Sequence, residues 1–197
     1  MNSYYSVVVC ASGGGGNFQA LINAQSFIGF SIHSLIVDRP CGAVDRARTA
    51  GISVVNVRNT TDHLCHDLDN AFPEHTDLIV LAGFMPIIPI IICEKWNGKM
   101  INTHPSLLPK YGGKGMYGVK VQEAVMQGEE KFAGCTIHYV NSKIDGGDII
   151  LQESIEIDYN ETPWQLGGRV FDLENKLLVE AVSHCKQKAR FNQVAGL

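Results

Sequence analysis

Apolar residues follow two rhythms along the first hundred positions. Residues 6–11 (SVVVCA) are an unbroken apolar run, the pattern of a strand buried on both faces of a parallel sheet. Gly13 to Gly16 end that run, and Phe18, Leu21 and Ile22 then recur at helical spacing to about residue 28. The same alternation continues downstream. It predicts strands over 32–37, 52–57, 77–82 and 100–104, with helices over 44–50, 62–72 and 87–93 between them. A β–α order of this kind predicts an α/β fold built on a doubly wound, mostly parallel sheet.

Past residue 104 the pattern changes. A helix is expected over 119–126. Strands are expected over 135–140 and 148–157, joined by residues 141–147, whose Asp145-Gly146-Gly147 is turn chemistry, so antiparallel strands belong to this part. A last helix opens at Thr162-Pro163-Trp164-Gln165, with a hydroxyl N-cap, Pro in the first turn and Gln at the third position. It is predicted to run to about residue 185, although Gly167-Gly168 in its first turns is locally unfavourable. No repeat, charge block or low-complexity linker divides the chain, so 1–197 reads as one domain.

Composition narrows the function classes. The 197 residues, 45% hydrophobic and 18% charged, suit a globular domain with a sizeable core. A formal net charge of -4 argues against a nucleic-acid partner. The six cysteines form no C-x-x-C pair and are expected as free, buried thiols in a reducing compartment. The N-terminus lacks a basic signal region, and the greasiest stretch, 78–93, is broken by Gly83, Pro86 and Pro89, short of the ~20 residues a membrane span needs. A soluble, cytoplasmic protein with no membrane partner is the expectation.

Four constellations can carry chemistry. The first is Ser12-Gly13-Gly14-Gly15-Gly16-Asn17, between the first strand and first helix. Glycines let backbone N–H groups crowd an anion, and a helix N-terminus adds partial positive charge, so a phosphate site is expected here. The loop lacks the Gly-Lys-Ser/Thr of a Walker A motif, and Phe18 stands where a dinucleotide fingerprint has its third glycine. Asp38, at the end of the second strand, is where a dehydrogenase would hold ribose, but that incomplete fingerprint disfavours nicotinamide binding.

The second constellation is Asn102-Thr103-His104-Pro105. Strand side chains alternate faces, so Asn102 and His104 point one way and Thr103 the other, and Pro105 stops the strand just beyond them. An amide donor and an imidazole thereby share the lip of a parallel strand, although a strand-end His can also be purely structural. The third, Asp145-Gly146-Gly147, is an ordinary turn unless it folds back over that strand end. The fourth is Glu174, a carboxylate inside the apolar stripe Val170, Leu173, Leu177 and Ala181 of the last helix. It needs a ligand or a buried Lys or Arg partner. His63, Cys65 and His66 gather possible metal ligands, but Cys65 is rotated off the face the two histidines share, so no metal is expected.

Residues 7–21 (VVVCASGGGGNFQAL), 80–87 (VLAGFMPI), 101–111 (INTHPSLLPKY) and 134–152 (GCTIHYVNSKIDGGDIILQ) resemble the phosphoribosylglycinamide formyltransferase family, in order from about Val7 to about Ala181. The resemblance implies a Rossmann-like formyltransferase fold, with residues 1–100 as the phosphate-binding half and 101–197 as the folate-binding and catalytic half. It implies transfer of the formyl group from 10-formyltetrahydrofolate, without a metal, to the amine of phosphoribosylglycinamide in purine biosynthesis. Asn102, His104 and Asp145 match the catalytic positions, Asn102 and His104 binding the oxyanion and Asp145 supporting His104 and proton movement. Gly14, Gly15, Gly16, Asn17 and Glu174 match the acceptor-binding positions. Met85, Pro86, Ile87, Ile88, Asn102, Asn141, Ser142, Lys143, Ile144 and Asp145 match the folate pocket.

The residue types suit the reaction. Amine attack creates a negative oxygen and a positive nitrogen together, and a fixed amide donor can be worth ~3 kcal/mol to an oxyanion. A carboxylate beside an imidazole favours its cation, the form with most hydrogens to donate. This sequence departs from many relatives at Gly16, where they have Ser, at Pro86, where an Arg is common, and in the loop 112–118. Methionyl-tRNA formyltransferase shares the motif but adds a C-terminal domain, and formyltetrahydrofolate deformylase adds an N-terminal one. A chain running from first strand to last helix fits neither, and a folate-binding module with dead chemistry would not need all three catalytic residue types. The expected partners are small molecules, for a monomer or homodimer.

Overall fold

The computed structural model describes residues 4–195. Seven strands form one sheet in the order β3-β2-β1-β4-β5-β6-β7. The parallel part holds β1 (Tyr5–Ala11), β2 (Phe30–Val37), β3 (Ser53–Asn56), β4 (Leu78–Leu81) and β5 (Met100–His104). β1 and β4, in the middle of the sheet, are apolar runs because both of their faces are covered, whereas the edge strand β3 is largely exposed. β6 (Phe132–Tyr139) and β7 (Ile149–Glu156) then pair antiparallel along the β5 edge. The α/β fold with an antiparallel C-terminal part is therefore as the sequence predicts.

Two cores account for the doubly wound arrangement. On one face, Val7, Val9 and Ala11 of β1 pack with Phe18 and Leu21 of α1 (Gly16–Ile28), Ala43 and Ala47 of α2 (Gly42–Thr49), Val121 and Val125 of α5 (Val119–Gln127) and the apolar stripe of α6 (Pro163–Ala195). On the other, Val8 and Cys10 meet Leu64 and Leu68 of α3 (Leu64–Ala71) and Ile92 and Cys93 of α4 (Ile90–Lys95). Neighbouring residues of one strand thus serve opposite layers, as the period of two requires.

Several boundaries differ from expectation, each for a physical reason. Residues 87–89 stay outside α4 because Pro89 is its N-cap, with the extended backbone that a proline donor-less start favours. β6 begins three residues earlier than its apolar run, since Phe132 pairs with Glu156 through the backbone whatever the side chain. α6 continues to Ala195, beyond residue 185. Its later turns carry mainly polar side chains and so lack the stripe by which a helix is read. Its start is a capping box as predicted: Gln165 N–H donates to Thr162 Oγ1 at 3.3 Å and Thr162 N–H to Gln165 Oε1 at 2.8 Å. The six cysteines are free thiols, but Cys41 and Cys65 are only half-buried.

Candidate active site

A cleft of about 730 Å³ opens at the C-terminal ends of β4 and β5, where an open α/β sheet places its ligand. Its floor is the lip of β5. Asn102 and His104 point to one face and Thr103 to the other, so the strand separates two sets of partners.

On the first face four polar side chains converge. Asn102 Nδ2 lies 3.3 Å from His138 Nε2. Asp145 reaches both imidazoles, with Oδ2 3.5 Å from His104 Nδ1 and Oδ1 3.7 Å from His138 Nε2. Asp145 also accepts the Gly113 N–H at 2.8 Å. His104 Nε2 donates to the Tyr111 carbonyl at 2.9 Å, and His138 Nδ1 to the Tyr139 carbonyl at 2.8 Å. His104 and His138 are almost wholly buried. Burial alone would raise the Asp145 carboxyl, but His138, His104 and the Gly113 N–H outweigh it and hold Asp145 below the ordinary carboxylate range.

The backbone around His104 is unusual. Asp145 and Tyr111, which supply its two partners, both have left-handed conformations, φ 52° and 56°. Such residues cost of order 1–3 kcal/mol each and persist where their surroundings dictate them. Thr136, opposite His104 on β6, supplies part of that support. Its hydroxyl donates to the Ser106 carbonyl at 2.6 Å and accepts the Leu108 N–H at 3.1 Å and Gln152 Nε2 at 2.8 Å. Gly147 closes the same corner: a Cβ there would run into the Tyr139 carbonyl. The Asp-Gly-Gly turn therefore does fold back over the strand end.

On the second face Thr103 donates its hydroxyl to Glu174 Oε1 at 2.6 Å. Glu174 is 7% exposed, and among the described residues no Lys or Arg pairs with it. Burial pushes its carboxyl up to about 7, with the Thr103 hydrogen bond pulling the other way.

A sequence profile of the formyl transferase family matches residues 5–182. The chain belongs to the formyl transferase family. It is 33% identical over 197 aligned positions to a chloroplastic phosphoribosylglycinamide formyltransferase of Arabidopsis thaliana, covering 95% of this chain and 68% of that one. It is 37% identical over 184 positions to the trifunctional purine biosynthetic protein adenosine-3 of Bos taurus, covering 89% of this chain but only 18% of that one. Among solved structures, phosphoribosylglycinamide formyltransferase from Anaplasma phagocytophilum superposes with a TM-score of 0.86 at 31% identity, covering 94% of this chain and 89% of that one.

In this formyl transferase the cleft gathers most of the residues singled out in the sequence. Asn17, Met85, Pro86, Ile87, Ile88, Asn141, Ser142, Lys143, Ile144 and Glu174 all line it, with Asn102, His104 and Asp145. Met85, Ile87 and Ile144 are 46%, 61% and 45% exposed, an apolar wall left open that a flat ring system could cover. The lining draws on residues before and after position 100 alike.

Gly14, Gly15 and Gly16 are not brought into the cleft. Gly15 caps α1 with φ 73°, and a Cβ on it would lie 2.8 Å from Ala43 of α2. At Gly16 a Cβ would run into the Phe171 ring. Close helix approach thus requires two of the four glycines, whatever they bind. Asp38 is occupied by protein groups: it accepts the Ser12 hydroxyl at 2.5 Å and Arg39 at 2.6 Å. Ser12 Oγ accepts the Met85 N–H at 2.9 Å, tying the glycine loop to the apolar wall. Burial alone would raise Asp38, and Arg39 and Ser12 hold it below its ordinary value.

Four groups escaped the sequence reading. His138 faces Asn102 only through the antiparallel β5–β6 register. The Tyr111 carbonyl is backbone and leaves no side-chain mark. Thr103 was placed on its face by period two, but its partner lies 71 positions away. Phe171 stands three residues before Glu174 on α6, one helical turn away, and that spacing could have signalled it.

Proposed function

We propose that this formyl transferase moves the formyl group of 10-formyltetrahydrofolate to the amine of phosphoribosylglycinamide, in purine biosynthesis, with Asn102, His104 and Asp145 as its catalytic residues. The observation that carries the reading is their convergence at the lip of β5, in a cleft whose adjoining wall is apolar and open.

The amine attacks the formyl carbon, forming a C–N bond and a tetrahedral centre that carries O⁻. The Asn102 amide has two hydrogens. One faces His138, and the other is available to the oxyanion, a contact of the kind worth ~3 kcal/mol. His104 Nε2 holds its hydrogen on the Tyr111 carbonyl, and donation to the oxyanion means exchanging that carbonyl for substrate. Asp145, held ionised, faces the ring and can take up the proton that the attacking nitrogen sheds. Collapse of the centre breaks the bond to the folate N10, which takes that proton back from Asp145, releasing tetrahydrofolate and the formylated acceptor.

Met85, Pro86, Ile87 and Ile88, with Asn141, Ser142, Lys143 and Ile144, would hold the folate. Gly14, Gly15, Gly16, Asn17 and Glu174 would hold the acceptor. No described helix is long and apolar enough to cross a membrane. The same reading has a cytoplasmic monomer or homodimer acting on small molecules, with no nucleic-acid or membrane partner.

Absorbance-monitored formyl transfer with phosphoribosylglycinamide as acceptor tests the assignment. Turnover is expected there, and activity only with initiator Met-tRNA or water would overturn it. Asn102→Ala and His104→Ala should each lower kcat by at least about 100-fold with modest effects on KM. A near-normal kcat in either removes that residue from its role.

A further inference from the structure

The glycine loop and the cleft do not meet, and one side chain stands between them. The cleft lining on α1 begins at Asn17, one residue past the glycines. Phe171 lines the cleft from α6 and is 39% exposed, so it is not a core residue. Its ring rests on Gly16, where a Cβ would run into Cζ and Cε1. Helical Cβ atoms lean toward the N-terminus. The ring therefore takes the space beside the first turn of α1, whose N–H groups no side chain caps. Those N–H groups would be the hydrogen-bond donors for an anion, together with Arg46, which runs along the loop and donates to the Gly14 carbonyl at 2.8 Å.

An aromatic ring on this turn excludes a phosphate both by volume and by withholding the water or donors that the anion requires. The glycine at position 16 is what allows the ring its seat, since any side chain there would displace it. We propose that Phe171 determines specificity on the acceptor side: seated on Gly16 it closes the glycine loop to anions, and a phosphate-bearing acceptor gains the loop only when the ring swings off. This rests on the acceptor reading above. When the competent conformation is only fractionally populated, apparent affinity falls by that fraction. Removing the ring, or its seat, should recover it.

Two variants of the whole protein test this. Phe171→Ala removes the ring, and Gly16→Ala keeps the ring but denies it the glycine. In Phe171→Ala, KM for phosphoribosylglycinamide should fall about tenfold relative to KM for 10-formyltetrahydrofolate. Calorimetric titration with inorganic phosphate should show tighter binding by a similar factor in both variants. Phosphate binding that is unchanged or weaker in folded Phe171→Ala, as checked by circular dichroism, overturns the proposal. So does opposite behaviour of the two variants. A wild-type enzyme with no turnover on phosphoribosylglycinamide would instead overturn the function reading, and the phosphate titration, which needs no turnover, still decides the gate.

Discussion

Asp145 and Glu174 lie on opposite faces of β5, and their surroundings differ in kind. Asp145 has two imidazoles and a backbone N–H within reach and is held below its usual range despite substantial burial. Glu174 is more deeply buried and has one hydroxyl, so its carboxyl is pushed up to about 7. Carboxyl groups whose environments drive them apart take different roles: one stays charged to stabilise or accept a proton, the other can hold a proton near neutrality. A single strand sets the difference, because consecutive side chains cannot share a face.

The largest expected effect comes from removing the charge on the Asn102 and His104 side. Asp145→Asn should lower kcat by about 100-fold or more, with little change in KM for the folate, in steady-state kinetics. A kcat within about threefold of wild type would break the comparison, since Asp145 would then be structural.

Glu174→Gln comes second and is read in stability. The folded value near 7 lies above the ordinary value of 4.5, so between the two the folded state alone holds the proton. Wild-type stability should therefore fall as pH rises from about 4.5 to 7, by about 3 kcal/mol in all, and level off above. The Gln variant should lack this decline in urea titrations across that window. Parallel curves for the two proteins would show that Glu174 titrates normally.

Thr103→Val is the smallest and sharpest test. It removes the one hydrogen bond that Glu174 makes among the described residues and should cost about 1 kcal/mol more at pH 8 than at pH 5. In a Glu174→Gln background that pH-dependent difference should vanish.

The parallel layers were legible because each is a local pattern: a strand such as β1 is apolar on both faces, and α1 repeats at helical spacing. The face shared by Asn102 and His104 was equally legible, since it depends on a period of two and nothing distant. Asp145 was not. Its turn is ordinary by sequence, and only the antiparallel return of β6 brings it to His104. His138 required the same register, which a one-residue slip would have turned to the other face. The glycine loop has a second reason for its composition. Four glycines suggest an anion cradle, and Gly15 and Gly16 also answer to Ala43 and Phe171, contacts made by helices 28 and 155 residues on.

α6 lies along the whole of α1. Phe171 rests at its first residue, and Lys186 Nζ donates to the Ile28 carbonyl at its last. The rise between those two α6 residues is ~22 Å, close to the ~20 Å length of the 13-residue α1. The cover for α1 is thus encoded more than a hundred residues downstream of it. On the ribosome, β1, the glycine loop and α1 emerge well before α6 and wait with one flank bare until it has followed.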